Sequence, residues 1–170
     1  MKYFSPAWHC GEVDDETSDA VVENYRRYLA SLLSRLPPDV RTLATSVSLH
    51  DGFIRQIISD PEQSTLFLGL CCGDNQVGYC NLDLYYSQVF FLPSERENLA
   101  ALEVDRKSTV MYDEVDIESG RFVHRILFLA PSKPPSRLNR YHEVSMHFEQ
   151  LRLVRTPCDS PYIASRTGAV

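Results

Sequence analysis

The chain has 170 residues, of which 44% are hydrophobic, 24% are charged and 11% are aromatic. This composition is typical of a packed globular protein and excludes a disordered or collagen-like chain. The formal net charge of -6 gives no electrostatic basis for binding the phosphate backbone of a nucleic acid, so we predict no nucleic-acid partner.

The length is that of one domain, so we expect residues 1–170 to form a single domain with an irregular C-terminal tail over 155–170. The opening residues contain no apolar run of signal-peptide length, and no stretch approaches the ~20 apolar residues of a membrane-spanning helix. Five cysteines, an odd number without zinc-type spacing, indicate reduced thiols rather than a disulfide framework. We therefore predict a cytoplasmic protein with no membrane partner, no cofactor and no bound metal.

The N-terminal third of the sequence is predicted to be mainly helical. MKYFS is interpreted as a short opening strand. Apolar residues then recur with the 3.6-residue period of an amphipathic helix over 17–35, and Pro37 ends it because proline excludes the helical conformation from the residue before it. PDVRTLAT, residues 38–45, is predicted to add one more helical turn.

From Phe53 onward the sequence is rich in β-branched and aromatic residues. Strands are predicted where these residues cluster between turn sequences: FIRQIIS, TLFLGLCC, VGYCNLDLYY, TVMYDEVDI, RFVHRILFLA and YHEVSMHFEQLRLVR. The segment VFFLPSERENLAALEVDR fits either a short helix or a wide connection. The whole pattern predicts an α+β fold, with a single antiparallel sheet of about five to seven strands and the long N-terminal helix packed on one face.

Ser119-Gly120, between two of the predicted strands, indicates a two-residue hairpin turn. The resulting register gives the opposing pairs Glu118–Arg121, Ile117–Phe122, Val115–His124, Glu114–Arg125, Asp113–Ile126 and Met111–Phe128. Two of these pairs carry opposite charges, which supports the register. It also places Asp113 and His124 as the two ionisable groups on an otherwise apolar face.

Asp113 and His124 are the first candidate polar site. Burial and a neighbouring charge can shift a pKa toward neutrality, as proton transfer requires. The alternative is a structural pair whose hydrogen bonds are satisfied, or a half-exposed sheet face.

His50 and Asp51 are the second candidate polar site, and Gly52 follows them. A glycine that permits unusual backbone geometry, and an aspartate that can bond to the backbone, would together explain a turn that begins a strand. Alternatively, the pair could join a distant carboxylate, such as Asp83 or Glu149, in a metal or acid–base site.

Sequence motifs of several enzyme classes are absent. The chain has no Gly-rich phosphate loop, no Gly-x-Ser-x-Gly nucleophile elbow and no His-Glu-x-x-His helix. We therefore favour a protein without enzymatic activity. The alternative is a small metal-dependent or acid–base enzyme centred on His50 and Asp51 or on Asp113 and His124.

Aromatic residues concentrate in YCNLDLYYSQVFF, which holds Tyr79, Tyr85, Tyr86, Phe90 and Phe91. This is more aromatic surface than one face of a small sheet commonly buries, and aromatic side chains carry much of the energy of binding interfaces. Core packing explains most of these residues. The functional interpretation that we favour is a binding surface on the sheet, for a protein partner or for a second copy of the chain.

Two short motifs resemble known families. The opening MKYF resembles the start of an uncharacterised bacterial family of domains of unknown function. LHDGFI, residues 49–54, resembles the Leu-His-Asp motif at the start of a sheet in small bacterial proteins, some of them immunity proteins against polymorphic toxins. The resemblance implies an α+β protein without established enzyme activity, in which His50 and Asp51 match the recurring pair. An immunity protein acts by binding a toxin, and an acidic protein with exposed aromatic residues would suit a basic toxin.

Overall fold

The computed structural model describes residues 1–74, 78–104, 107–130 and 141–158. Its helices are α1 (Pro6–His9), α2 (Asp15–Leu32), α3 (Pro38–Ser46) and α4 (Pro93–Val104), with a short 3-10 helix at Leu33–Arg35. Its strands are β1 (Phe53–Asp60), β2 (Thr65–Asp74), β3 (Gly78–Ser87), β4 (Thr109–Glu118), β5 (Arg121–Leu129), β6 (Tyr141–Phe148) and β7 (Gln150–Cys158). The strands form one antiparallel sheet in the order β6-β5-β4-β1-β2-β3-β7. The predicted α+β fold is confirmed.

The predicted long helix is present as α2 and the 3-10 helix that follows it. The side chain of Asp14 accepts a hydrogen bond from the backbone N–H of Thr17 at 2.8 Å, so it caps an N–H that has no partner within the helix. The predicted further turn is the longer helix α3. The segment that fitted a helix or a wide connection contains α4.

The predicted opening strand over MKYFS is wrong. The backbone N–H groups of Lys2, Tyr3 and Phe4 all donate to the carboxylate of Glu114. A buried carboxylate on β4 thus satisfies the donors that a neighbouring strand would otherwise have to satisfy.

YHEVSMHFEQLRLVR forms two strands, although the sequence predicted one. Glu149 and Gln150 are both exposed, and two consecutive outward-facing residues break the alternation on which one continuous strand depends. Residues 155–158, predicted to begin an irregular tail, continue β7 and pair with β3. Residues 159–170 of that predicted tail lie outside the described residues.

The sheet is strongly curled, because its two edge strands, β6 and β7, are separated in sequence only by Glu149. Flat strands about 4.8 Å apart would place the edges of such a sheet about 29 Å from each other, whereas one residue spans about 3.4 Å. The two ends of the sheet approach each other where the N–H of Phe90, just beyond β3, donates to the carbonyl of His147 in β6 at 2.8 Å. The N–H of Glu149 donates to the carbonyl of Ser87 in β3 at 3.3 Å. The core residues inside the curl include Leu66, Leu68, Leu84, Ile126, Phe128, Val144 and Met146.

The sheet opens between β1 and β4, whose register contains a single pair, Phe53–Thr109. Beyond this pair, the backbone N–H of Val115 in β4 donates to the hydroxyl of Tyr25 in α2 at 2.8 Å. Helix α2 therefore supplies hydrogen bonding to β4 where strand pairing has stopped.

Helix side chains bind backbone groups of both edge strands. The carboxylate of Asp39 in α3 accepts from the N–H of Leu153 in β7 at 3.1 Å, and Asn98 in α4 donates to the carbonyl of Glu143 in β6 at 2.8 Å. Pro157, also in β7, has no N–H to offer. These features protect the edges against pairing with a further strand. Within the described residues, no helix is both long enough and apolar enough to cross a membrane.

The predicted hairpin register is confirmed for five of its six pairs, from Glu118–Arg121 to Asp113–Ile126. The sixth is wrong, because a bulge between Val110 and Tyr112 places Val110, and not Met111, opposite Phe128. The bulge turns Val110 into the core, where it is fully buried.

The turn of this hairpin should respond differently to substitution at its two central positions. Ser119 has φ 49° and Gly120 has φ 82°, both in the left-handed region. Gly120→Ala adds a Cβ there and should lower the free energy of unfolding by about 1 kcal/mol. Ser119→Gly removes such a Cβ and should not destabilise the protein. Urea denaturation checks both variants, and equal stability of Gly120→Ala and the wild type would contradict the assignment.

Candidate functional site

Asp113 and His124 contact each other on the core side of the β4-β5 hairpin, as the predicted register requires. Oδ2 of Asp113 lies 3.2 Å from Nε2 of His124, and Nδ1 of His124 lies 2.7 Å from the hydroxyl of Tyr86 in β3. The side chain of His124 is completely buried, whereas that of Asp113 is 20% exposed. The three side chains form a hydrogen-bonded chain from the core to the surface.

The chemistry of the three side chains determines which atom donates and which accepts in each of the two hydrogen bonds. Burial, reinforced by the charge of Asp113, raises the pKa of Tyr86 well above its ordinary value, so its hydroxyl keeps its proton and can donate. A carboxylate only accepts, so a hydrogen on Nε2 of His124 satisfies Asp113 and leaves Nδ1 free to accept from Tyr86. One neutral tautomer therefore satisfies both bonds.

Tyr86 was predicted to belong to the binding surface, but it is 1% exposed. Successive strand residues face opposite sides of the sheet, so Tyr86 faces inward where Tyr85 faces outward. The Tyr86 ring packs against the Phe148 ring edge to face, with the ring centroids 5.1 Å apart. Phe91, another predicted surface residue, is partly buried against the core. The candidate interface therefore contains fewer of the five aromatic residues than the sequence predicted.

The hydrogen-bonded chain has the residue types of a proton-transfer site, but a substrate could not reach its Tyr86 and His124. Tyr86 and His124 are both enclosed in the core. The apolar interior space lined by Ile57, Leu66 and Phe128 has no room for a water molecule. The arrangement therefore supports the structural alternative, in which Tyr86 and His124 hold β3 and β5 together across the core.

A second polar network, which the sequence analysis missed, lies on the opposite side of the same hairpin. Glu114 is 1% exposed. It accepts from the N–H of Tyr3 and that of Phe4 at 2.7 Å each, and from the N–H of Lys2 at 2.9 Å. The sequence signal was the alternation of acidic residues along β4, but nothing local indicated that the chain's opening residues cover that face.

Asp116 is the centre of this outer network. It contacts the ammonium of Lys2 and the hydroxyl of Tyr28, and Nη1 of Arg125 lies 3.0 Å from its Oδ2. Burial alone would raise the pKa of Asp116, but the hydrogen bonds from Lys2, Tyr28 and Arg125 lower it to about 2. The carboxylate therefore stays ionised well into the acidic range.

The outer network extends to β6 and α4. Nη2 of Arg125 lies 2.6 Å from Oε1 of Glu118, whose other oxygen lies 3.4 Å from Nε2 of His147. Nδ1 of His147 lies 3.4 Å from Oε1 of Glu95, and burial raises the pKa of Glu95. With Tyr28 in α2, the network joins three strands and two helices, which supports a stabilising role.

His50 and Asp51 form an exposed pair, with Nδ1 of His50 3.1 Å from Oδ2 of Asp51 and side-chain exposures of 44% and 72%. The N–H of Gly52 donates to the carbonyl of Leu49 at 2.8 Å, which closes a tight turn. A Cβ at Gly52 would lie 2.7 Å from that carbonyl oxygen and 2.9 Å from Sγ of Cys72. These contacts support the turn interpretation of the motif.

The carboxylates that were weighed as partners for His50 have other neighbours. Asp83 contacts Arg55, and Glu149 lies 3.9 Å from Arg121. In the part of the chain that the structure describes, no three His, Cys, Asp or Glu side chains are grouped so that they could hold a metal ion.

The side of β1, β2, β3 and β7 that faces away from the core, called the outer face below, carries a row of large side chains. Ile58, Phe67, Tyr85 and Arg152 are successive register partners across the four strands. Ile58 is 51% exposed and Tyr85 is 41% exposed. The rings of Phe67 and Tyr85 are 4.9 Å apart, and the guanidinium of Arg152 lies 5.6 Å from the Tyr85 ring.

The other predicted surface aromatics extend beyond this row. Tyr79 lies on the same face, half-buried, beside Cys158. Phe90, beyond the end of β3, is 50% exposed, and the guanidinium of Arg121 lies 5.2 Å from its ring. Phe53, which the sequence analysis did not select, is 40% exposed at the start of β1.

Comparison with protein families identifies a related family. The model of a family described as "Protein of unknown function (DUF4085)" matches residues 6–135, which is most of the chain. This confirms the predicted relation to an uncharacterised domain family, although the match does not include the MKYF motif and does not extend to immunity proteins. No curated protein and no solved structure matches the chain.

The buried chain predicts a contrast between two adjacent tyrosines. Tyr86→Phe removes the partner of Nδ1 of His124 inside the core and should lower the free energy of unfolding by about 1–3 kcal/mol. Tyr85→Phe makes the same chemical change on the exposed face and should have almost no effect. Urea denaturation at neutral pH measures both. Equal losses would show that the Tyr86 hydroxyl is not a buried hydrogen-bonding group.

The outer network predicts a loss of stability in acid. The pKa of Asp116 is about 2 in the folded protein and 3.8 ordinarily, so its contribution, up to about 2 kcal/mol, is complete above pH 3.8 and disappears as the pH falls through about 2. Asp116→Asn should be less stable at neutral pH and should lack this part of the acid-induced loss. Asp19→Asn, a change of the same kind at an exposed position, should keep the wild-type profile. Parallel stability profiles for wild type and Asp116→Asn would contradict the prediction.

Proposed function

We propose that this chain, which belongs to the DUF4085 family of proteins of unknown function, is a binding protein whose outer face contacts a protein partner. The observation that carries the proposal is the row of Ile58, Phe67, Tyr85 and Arg152 across four adjacent strands. Isolated exposed apolar residues are ordinary on protein surfaces, but a contiguous group of them is typical of an interaction site.

The other ways in which a sheet protein can bind a ligand have less support. Asp39 and Asn98 engage backbone groups of the two edge strands, which opposes binding by addition of a strand. The core around Tyr86 and His124 is closed, so an internal ligand site is also unsupported. A rigid sheet face remains, and its side chains are held in place by their neighbours in the row.

The positive charge of Arg152 indicates which kind of partner surface would be complementary to the row. Arg152 lies over the Tyr85 ring, whereas Asp83, in the next row, is already paired with Arg55. Tyrosine and arginine are, with tryptophan, the residues enriched in energetically dominant interface positions. The complementary partner is therefore a protein surface that combines apolar side chains with carboxylates.

An immunity role is the narrower form of this proposal, and its support is the LHDGFI motif. The chain is acidic overall, but the charge beside the exposed aromatic ring belongs to an arginine. A toxin bound at this face would accordingly need an acidic contact surface, which differs from the basic partner that net charge alone suggested.

The enzymatic alternative is weaker at both of its candidate centres. His50 and Asp51 are exposed, and among the described residues they belong to no group of three side chains that could hold a metal ion. His124 is completely buried, so it cannot meet a substrate. An active site requires several polar groups that converge on an accessible pocket.

The test places a photo-crosslinking amino acid at Tyr85 in cells where the chain naturally occurs, with the same substitution at exposed Arg26 as the control. We expect one protein to be crosslinked at position 85, and we expect the same protein not to be crosslinked at position 26. The purified partner should bind wild type and Arg26→Glu equally, and should bind Arg152→Glu roughly tenfold more weakly or worse.

Three outcomes would overturn the proposal. The first is the absence of a position-specific adduct. The second is an adduct between two copies of the chain, which would assign the face to self-association. The third is equal binding of Arg26→Glu and Arg152→Glu, which would remove the acidic partner surface from the account.

A further inference from the structure

Two thiols on the outer face lie close together although 87 residues separate them in sequence. Sγ of Cys71 in β2 is 3.6 Å from Sγ of Cys158, the last residue of β7. Cys71 is 2% exposed, whereas Cys158 is half-buried. Neither thiol takes part in the hydrogen-bond networks described above.

We propose that Cys71 and Cys158 are a redox modification site, at which hydrogen peroxide forms an intramolecular disulfide that dithiols reverse. A disulfide requires the two sulfur atoms to approach to about 2.05 Å, which is about 1.5 Å closer than their present separation. Strand β3 lies between β2 and β7, so the end of β7 must shift to close the bond. That end is a strand terminus, and Pro157 beside it contributes no N–H.

The exposed fractions of Cys158 and Cys71 indicate which thiol reacts first. The half-buried Cys158 meets peroxide first, and its sulfur takes one peroxide oxygen to give a sulfenic acid while the other oxygen leaves as water. The sulfur of Cys71 then attacks the sulfenic sulfur, and the hydroxyl leaves as water with the Cys71 proton. Two thiols are oxidised by two electrons in total, and one peroxide is reduced to two waters.

The environment of Cys71 suits the second step and not the first. Burial, with contributions from Cys158, raises the pKa of Cys71 to about 12. A thiol that is rarely ionised reacts slowly with peroxide. The Cys71 thiol can still react with a sulfenic acid that forms on Cys158. The two sulfur atoms are already held side by side, so the reaction needs no bimolecular encounter.

Cys72 and Cys80 provide an internal comparison. They are register partners on β2 and β3, but they are 2% and 5% exposed and belong to the core. If proximity along the strands alone decided the pairing, these two would be the first to join. The proposed chemistry requires a first thiol that peroxide can reach, and of these two pairs only Cys71–Cys158 has one, the half-buried Cys158.

The experiment exposes the full chain to graded hydrogen peroxide, alkylates the remaining thiols and digests with trypsin without reduction. We expect the peptide spanning 156–166 to be linked to the peptide spanning 56–96, two fewer free thiols per chain, and full recovery with dithiothreitol. Cys80→Ala should keep the link, whereas Cys158→Ser and Cys71→Ala should each abolish it. Because Cys158 ends a strand, Cys158→Ser should fold even if Cys71→Ala does not.

The proposal is overturned by any of three results. Cys158 could proceed to sulfinic acid without forming a link, the link could persist in Cys71→Ala through Cys72 or Cys80, or the linked species could have the mass of two chains.

Discussion

The register of the β4-β5 hairpin is the constraint on which the rest of this structure depends. Side chains alternate along a strand, so the turn at Ser119-Gly120 directs His124 into the core and Arg125 away from it. A slip of one residue would exchange them and bury an unpaired guanidinium among apolar side chains, at a cost of several kcal/mol. The turn thereby determines which polar group each side of the hairpin receives.

The two sides of the β4-β5 hairpin carry different polar networks. On the inner side, His124 bonds to Tyr86 and joins strands from different parts of the curled sheet. On the opposite side, the carboxylates of β4 bind both Arg125 and the opening residues of the chain, and the network extends through His147 to α4. Because the interior is closed and helix side chains engage the strand edges, the outer face of the remaining strands is the surface at which we propose that a partner binds.

Local patterns predicted helices α2 and α3, strands β1 to β5 and the inward-facing Asp113 and His124, because each depends on residues close in sequence. The contact of Tyr86 with His124 spans 38 residues and that of Glu114 with Tyr3 spans 111, so periodicity carried no information about either. The division into β6 and β7 reflects pairing with opposite edges of the sheet, which is also a long-range property. The misplaced Met111 has a local cause, a bulge that no alternation rule anticipates.

The most direct test of this account is the pattern of nuclear Overhauser effects between Hα atoms in the hairpin. With a two-residue turn, the Hα atoms of non-hydrogen-bonded pairs face each other at short range. The register predicts strong cross-peaks for Val115 with His124 and for Asp113 with Ile126. A strong cross-peak between Glu114 and His124 instead would mean that the strands are shifted by one residue and that the two polar networks are not the ones described.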